Sequence, residues 1–199
     1  MKYFVFILIF FSACSFKPEA IVDNTKTFIL KDNNEDLKQN FIKNNKILKI
    51  TNAYVPIYLN NQNLMYVDKL NSSFYALNFL EDTPSNFYVF MLLSKFERAD
   101  FFKALVSENS NLLADYLLES RIDSFEQIME QNENYVLIKI SVNLIDLNTN
   151  KLINHNYFQI KEKIEKQEIN LVINTLNKAL NVIGNDIVVW TYENLNKKE

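Results

Sequence analysis

One glycine, Gly184, stands in the whole 199-residue chain. A phosphate-cradling loop, a dinucleotide fingerprint and a nucleophile elbow each need clustered glycines, because only a residue without a Cβ lets the backbone close around an anion or turn that sharply. Those architectures are excluded, and nucleotide chemistry goes with them. The turns on offer are asparagine-rich instead: Asn60-Asn61, and "DLNTNKL" from Asp146. A net charge of -3 and a pI near 5.4 give no basic surface for nucleic acid, and a hydrophobic content of 48% is that of a folded domain.

The pattern of apolar residues sets the elements. "TFILK", 27–31, reads as a first strand, and "KILKITNAYVPIYLNNQNLMYV" as a strand from Lys46 to Val55, a bend at Pro56 and a second strand at Leu64–Val67. Phe74 to Phe79 is a further short strand. Thr83 and Pro84 then supply a helix cap and a first helical residue, and apolar residues from Phe87 to Leu105 predict a helix over 84–105. That helix is apolar nearly all round, and plain burial is the favoured explanation. Residues 112–129 are strand-rich. Val136, Ile138, Ile140, Val142 and Leu144 then fall at strict period two, starting a long antiparallel hairpin over 135–160. From Ile169 the spacing of Val172, Ile173, Leu176, Leu180, Ile183 and Ile187 predicts an amphipathic helix over 167–192. The expected fold is α+β, a single domain with a mostly antiparallel or mixed sheet packed against two main helices.

At the start of the chain, Lys2 precedes an apolar run, Tyr3 to Phe11, that is far shorter than the roughly 20 residues a membrane span needs. The run ends in "FSACS", which places Cys14, the only cysteine, directly after two small residues. That is the arrangement of a lipoprotein signal, in which the thiol takes a diacylglycerol group and the freed amine can be acylated. Phe11 departs from it, standing where an aliphatic residue is usual. The reading divides the chain into a signal peptide over 1–13, a lipidated N-terminus and tether over 14–26, and a domain over 27–195. With no second cysteine, an intrachain disulfide is excluded, and an exported domain with no other thiol has nothing to misoxidise. One acyl chain anchors marginally and two or more anchor stably. Ser15 is not the aspartate that commonly retains lipoproteins in the inner membrane, so the periplasmic face of the outer membrane is expected.

No catalytic pattern stands out. His155 is the sole histidine, lies on the predicted hairpin, and is expected to be exposed or satisfied there. One histidine and no thiol in the mature domain fall short of the usual nitrogen and sulfur metal ligands. The acidic pairs Glu81-Asp82, Glu119 with Asp123, and Glu130 with Glu133 read as solvated carboxylates. No enzyme activity, cofactor or metal is expected.

The order of these elements resembles a family. "TFIL" soon after the tether, "ILKITNAYVPIYLNNQNLMYV", "FYALNFLEDTPSNF" and "YVLIKISVNLID" before a closing helix are similar to the auxiliary lipoproteins of ABC-type transport systems, the PqiC/YmbA-like group that accompanies MCE-domain lipid transporters. Pro56, Tyr58 and Leu59 match that family's Pro-x-Tyr-Leu pattern. The tryptophan that many members carry before the helix is absent, with Phe79 near its place. The resemblance covers about 27–190. It implies a non-enzymatic accessory on the outer membrane that meets an MCE-domain periplasmic protein, serves transport of phospholipid or another hydrophobic substrate, and self-associates. Partner-contact candidates are Tyr54, Pro56, Tyr58, Leu59 and Tyr66, with ordinary sheet packing as the plainer reading of the tyrosines. Alternatives are an accessory, pilotin-like lipoprotein of another envelope machine, or a periplasmic lipid carrier.

Overall fold

In the computed structural model, which describes residues 24–33, 37, 39–130, 133–166 and 168–196, the period-two set sits at the centre. Val136, Ile138, Ile140, Val142 and Leu144 are all fully buried. They belong to β7 (Glu133–Asp146), which pairs antiparallel with β6 (Tyr116–Glu130) on one side and β8 (Lys151–Lys163) on the other. The expected signal peptide, Cys14 and most of the expected tether lie outside the described residues. Lys26, the last expected tether residue, already pairs within β1 (Lys26–Phe28).

The far edge of β6 is shared between two shorter strands, both parallel to it. β2 (Ile47–Ile50) takes its first part, from Leu48 opposite Tyr116, and β3 (Asn63–Asp68) takes its last part, from Met65 opposite Glu126. Between them Tyr54 makes one bridge to Arg121. Strand β5 (Ala104–Ser107) adds to β2, β4 (Asn71–Leu80) to β3, and β1 to β4. The described residues thus form an open mixed sheet of eight strands with two helices, an α+β fold in one domain. The expected strand from Lys46 to Val55 is shorter than predicted, because after Ile50 the chain keeps contact with β6 only through single hydrogen bonds such as Tyr54 N to Ser120 O at 2.9 Å.

Both helices cover one face. α1 (Pro84–Ala99) begins as the sequence predicts, with the Asn86 N–H donating to Thr83 Oγ1 at 3.2 Å and Pro84 in the first turn. It ends six residues before the predicted Leu105. Asp100 adopts a left-handed conformation with φ 45°, its N–H donating to the Phe96 and Glu97 carbonyls. Phe101 and Phe102 turn inward to an aromatic cluster with Phe96, Phe41 and Tyr192. Apolar residues beyond Ala99 mimicked helical spacing while belonging to this cluster. α2 (Ile169–Asn196) runs straight through Gly184. There the two helices approach so closely that a Cβ on Gly184 would lie 2.7 Å from Met91 Cε and 2.9 Å from Lys95 Cδ and Cε.

Lys95, buried at 1% exposure, sits beside that crossing. Its ammonium reaches Asp32 at 3.1 Å and Asn185 Oδ1 at 2.7 Å, while Arg98 also holds Asp32 at 2.7 Å. Asn181 accepts from the Asn33 N–H at 3.0 Å and donates to the Lys31 carbonyl at 2.8 Å, and Asn177 accepts from the Lys31 N–H. These side chains bind residues 31–33 to the helices where a strand through Lys31 was expected. Their backbone groups are satisfied by α2 instead of by a sheet neighbour.

Candidate functional site

Among the described residues, the other face of the sheet carries no helix. Alternation along β6, β7 and β8 puts Glu119, Arg121, Lys139, Ser141, Asn143, His155 and Tyr157 there, opposite the core set. The segment joining β2 to β3 crosses the rim between this open face and α1, and cavities lie on both sides of it.

Hydrogen bonds to β6 hold its backbone, and Tyr54, Ile57 and Tyr58 leave their side chains exposed. Thr51 N and Tyr54 N donate to the Leu118 and Ser120 carbonyls, Ile122 N donates to Tyr54 O, and Asn52 N donates to Glu108 Oε2 at 3.0 Å. Tyr54 therefore projects from a rigid base and is 69% exposed. Pro56, partly buried, leads into a 3-10 turn at Ile57–Leu59 in which Ile57 is exposed, Tyr58 is 44% exposed and Leu59 is buried. The Asn60-Asn61 turn follows, Asn61 donating to the Tyr58 carbonyl and accepting from Asn63 N. Tyr66, on β3, is half-buried and packs edge-on to Tyr75 at 5.1 Å. Of the five contact candidates, Tyr54 and Tyr58 are exposed and Pro56 is partly buried, while Leu59 faces the core and Tyr66 packs against Tyr75.

On the open-face side, a cavity of about 420 Å³ is lined by Thr51, Asn52, Tyr54, Arg121, Asn143 and His155, among others. Arg121 Nε donates to Asp123 Oδ1 at 2.6 Å, and this partner raises the guanidinium pKa. Ser141 Oγ donates to Asp123 Oδ2 at 3.0 Å. Asp123 can hold both because β6 steps out of register between Ile122 and Ser124. His155 Nδ1 lies 2.8 Å from Asn143 Oδ1. The histidine and the serine hydroxyl are thus each tied to a different partner. Glu126 is buried on this face and its pKa is raised by that burial, and burial with the charges of Glu126 and Asp123 raises the pKa of Tyr58. The surface offers aromatic area and hydrogen-bonding groups on a stiff sheet, as a recognition surface does.

On the α1 side, an apolar groove of about 630 Å³ has Phe87, Val89, Phe90 and Leu93 along its floor and Asn52, Glu81 and Asp82 at its rim. Phe90 is 77% exposed, which overturns the expectation of plain burial for this helix. Asn86, Val89, Phe90 and Leu93 form a second stripe at helical spacing, offset from the buried stripe of Tyr88, Met91, Leu92, Lys95 and Phe96. Two interleaved stripes were the available signal. They read as one uniformly apolar helix.

Among the described residues, no group of three or more His, Cys, Asp and Glu side chains could hold a metal ion, and no helix is long and apolar enough to cross a membrane.

No family model and no curated protein matches the chain. Solved structures do. Protein XCC0632 of Xanthomonas campestris, of family DUF330, superposes with a TM-score of 0.79 at 11% identity over 87% of this chain and 98% of that one. An uncharacterized protein gives 0.62 at 16% identity, covering 83% of this chain and 98% of its own, and hypothetical protein CT253 of Chlamydia trachomatis 0.56 at 7%, covering 78% and 100%. At these identities the likeness is one of fold, and 98% or more of each of these three structures falls within it.

Proposed function

We propose that this protein is a lipid-anchored accessory of the cell envelope, held by diacylglycerol and an acyl chain on Cys14 at the periplasmic face of the outer membrane. In this reading it serves an MCE-type ABC transporter that moves phospholipid or another hydrophobic molecule. It is not an enzyme, it needs no cofactor, and it acts by binding the transporter's MCE-domain periplasmic protein and further copies of itself. The observation that carries the reading is the superposition on a DUF330 protein, the family of the PqiC/YmbA-like lipoproteins that residues 27–190 resemble. The "FSACS" segment and the single cysteine support the anchor. The rigid aromatic rim at Tyr54 and Tyr58 supports a binding role.

The test is an in-cell crosslink of the tagged full-length protein, with detergent solubilisation and mass spectrometry. Recovery of an MCE-domain protein with its permease and ATPase is expected. Secretion or assembly components in their place would move the protein to another envelope machine. The Cys14→Ala form is expected to lose acyl labelling and membrane association, and retention of both would refute the anchor.

A further inference from the structure

The outward stripe of α1 is a two-turn apolar surface that the described residues cover only in part: Phe87, Val89 and Leu93 pack partly against the core, while Phe90 is 77% exposed. Val89, Phe90 and Leu93 form it, Phe87 extends it, and Phe90 is the most exposed of the set. A soluble helix normally buries one stripe, and this one buries Tyr88, Met91, Leu92 and Phe96 and then presents a second.

The charged side chains lining the groove are acidic, and Arg98, the cation nearest on α1, is already held by Asp32. Glu81 and Asp82 stand at its N-terminal end, and Glu97 is one turn past Leu93 on the same face. The wall opposite is Asn52, whose N–H is held by Glu108. None of these four carboxylates forms an ion pair among the described residues. The N-terminus of α1 contributes about half a positive charge, part of it taken up by the Thr83 cap, so two carboxylates there leave that end negative. An occupant must therefore bring apolar side chains at its centre and cations at its ends. An anionic lipid headgroup is disfavoured on the same ground.

We propose that this groove receives an amphipathic helical segment of a partner protein, with apolar residues three and four apart flanked by Lys or Arg. Its apolar residues would lie over Phe90, with its cations at Glu81 and Glu97. The groove's chemistry makes the same demand whichever envelope machine the protein serves.

The test places a photo-crosslinking phenylalanine analogue at position 90 of the full-length protein in living cells and sequences the crosslinked peptide. Because the analogue keeps the phenylalanine core and the site is exposed, the fold is retained. The expected adduct is a protein segment with apolar residues at helical spacing and at least two flanking cations. Its yield is expected to fall at least ten-fold with Glu81→Lys and Glu97→Lys together. Glu165→Lys, an exposed change on the loop before α2, is expected to leave it unchanged. An adduct on phospholipid alone, on a second copy of this chain or on an acidic segment, no adduct at all, or a yield that Glu81→Lys with Glu97→Lys leaves intact, would each overturn the proposal. A crosslinked segment of the expected chemistry from a protein outside any MCE system would uphold the groove while removing the transporter reading.

Discussion

The lone glycine marks where the two helices touch. An alanine at Gly184 would place its Cβ against Met91 and against Lys95, and Lys95 cannot swing away without leaving Asp32 and Asn185. Alanine gains about 1 kcal/mol of helix propensity, whereas overpacking costs roughly 1–3 kcal/mol. Gly184→Ala is therefore expected to destabilise by about 1 kcal/mol, and Gly184→Leu by more, in urea unfolding; an alanine variant as stable as the parent would mean the helices separate freely. A second residue carries a pH signature. Burial holds the Glu126 carboxyl above its ordinary value of 4.5, so the protonated form is the one the fold favours. Stability linked to this group is complete below the unfolded pKa and is lost as pH rises through the folded one. Glu126→Gln is expected to raise Tm at pH 7, with the gain shrinking as pH falls toward 4. A gain that does not depend on pH would assign it to packing.

At the scale of elements, β8 is a 13-residue strand paired on one side only among the described residues, the kind of edge that recruits other chains. Residues Asn154 to Ile160 carry no formal charge with the histidine neutral. What closes this stretch is its asparagines: the His155 N–H donates to Asn154 Oδ1 and the Tyr157 N–H to Asn156 Oδ1. Asn156→Val would release the Tyr157 N–H and add a β-branched side chain. Self-association that rises with concentration is expected relative to the parent, measured by light scattering, and an unchanged profile would show that the edge is closed by something else. The end of α1 makes a related point. Phe101, Phe102 and Leu105 continue the apolar spacing of the helix, yet the aromatic cluster with Phe41 and Tyr192 draws Phe101 and Phe102 inward beyond Asp100.

For the whole molecule, stability should be graded outward from β7, which has a partner along nearly its full length on both sides and α2 above it. In hydrogen exchange the slowest amides are expected in β7 from Lys139 to Leu144 and the fastest strand amides in the three-residue β1; comparable protection in the two would contradict this order. Local signals determined the α+β class, the β7–β8 hairpin, the start of α1 and the span of α2, because a period of two or 3.6 residues, an Asn-rich turn, and the Thr83 cap with Pro84 are each written along one segment. Tyr54 stood among the contact candidates, but sheet packing was the plainer reading of it, and its 69% exposure came only with the fold. Other features depend on what comes to lie beside what. β6 divides one edge between β2 and β3, a pairing between segments far apart in sequence. Gly184 and Lys95 acquire meaning only at the helix crossing, and residues 31–33 are held by asparagines of α2. Arg121, Asn143 and His155 meet because three strands align in register, and Phe90 is left outside because the sheet and α2 bury the other stripe of its helix. A sequence records which side chains are apolar, but which of two apolar stripes is buried is settled only when the rest of the chain packs against one of them.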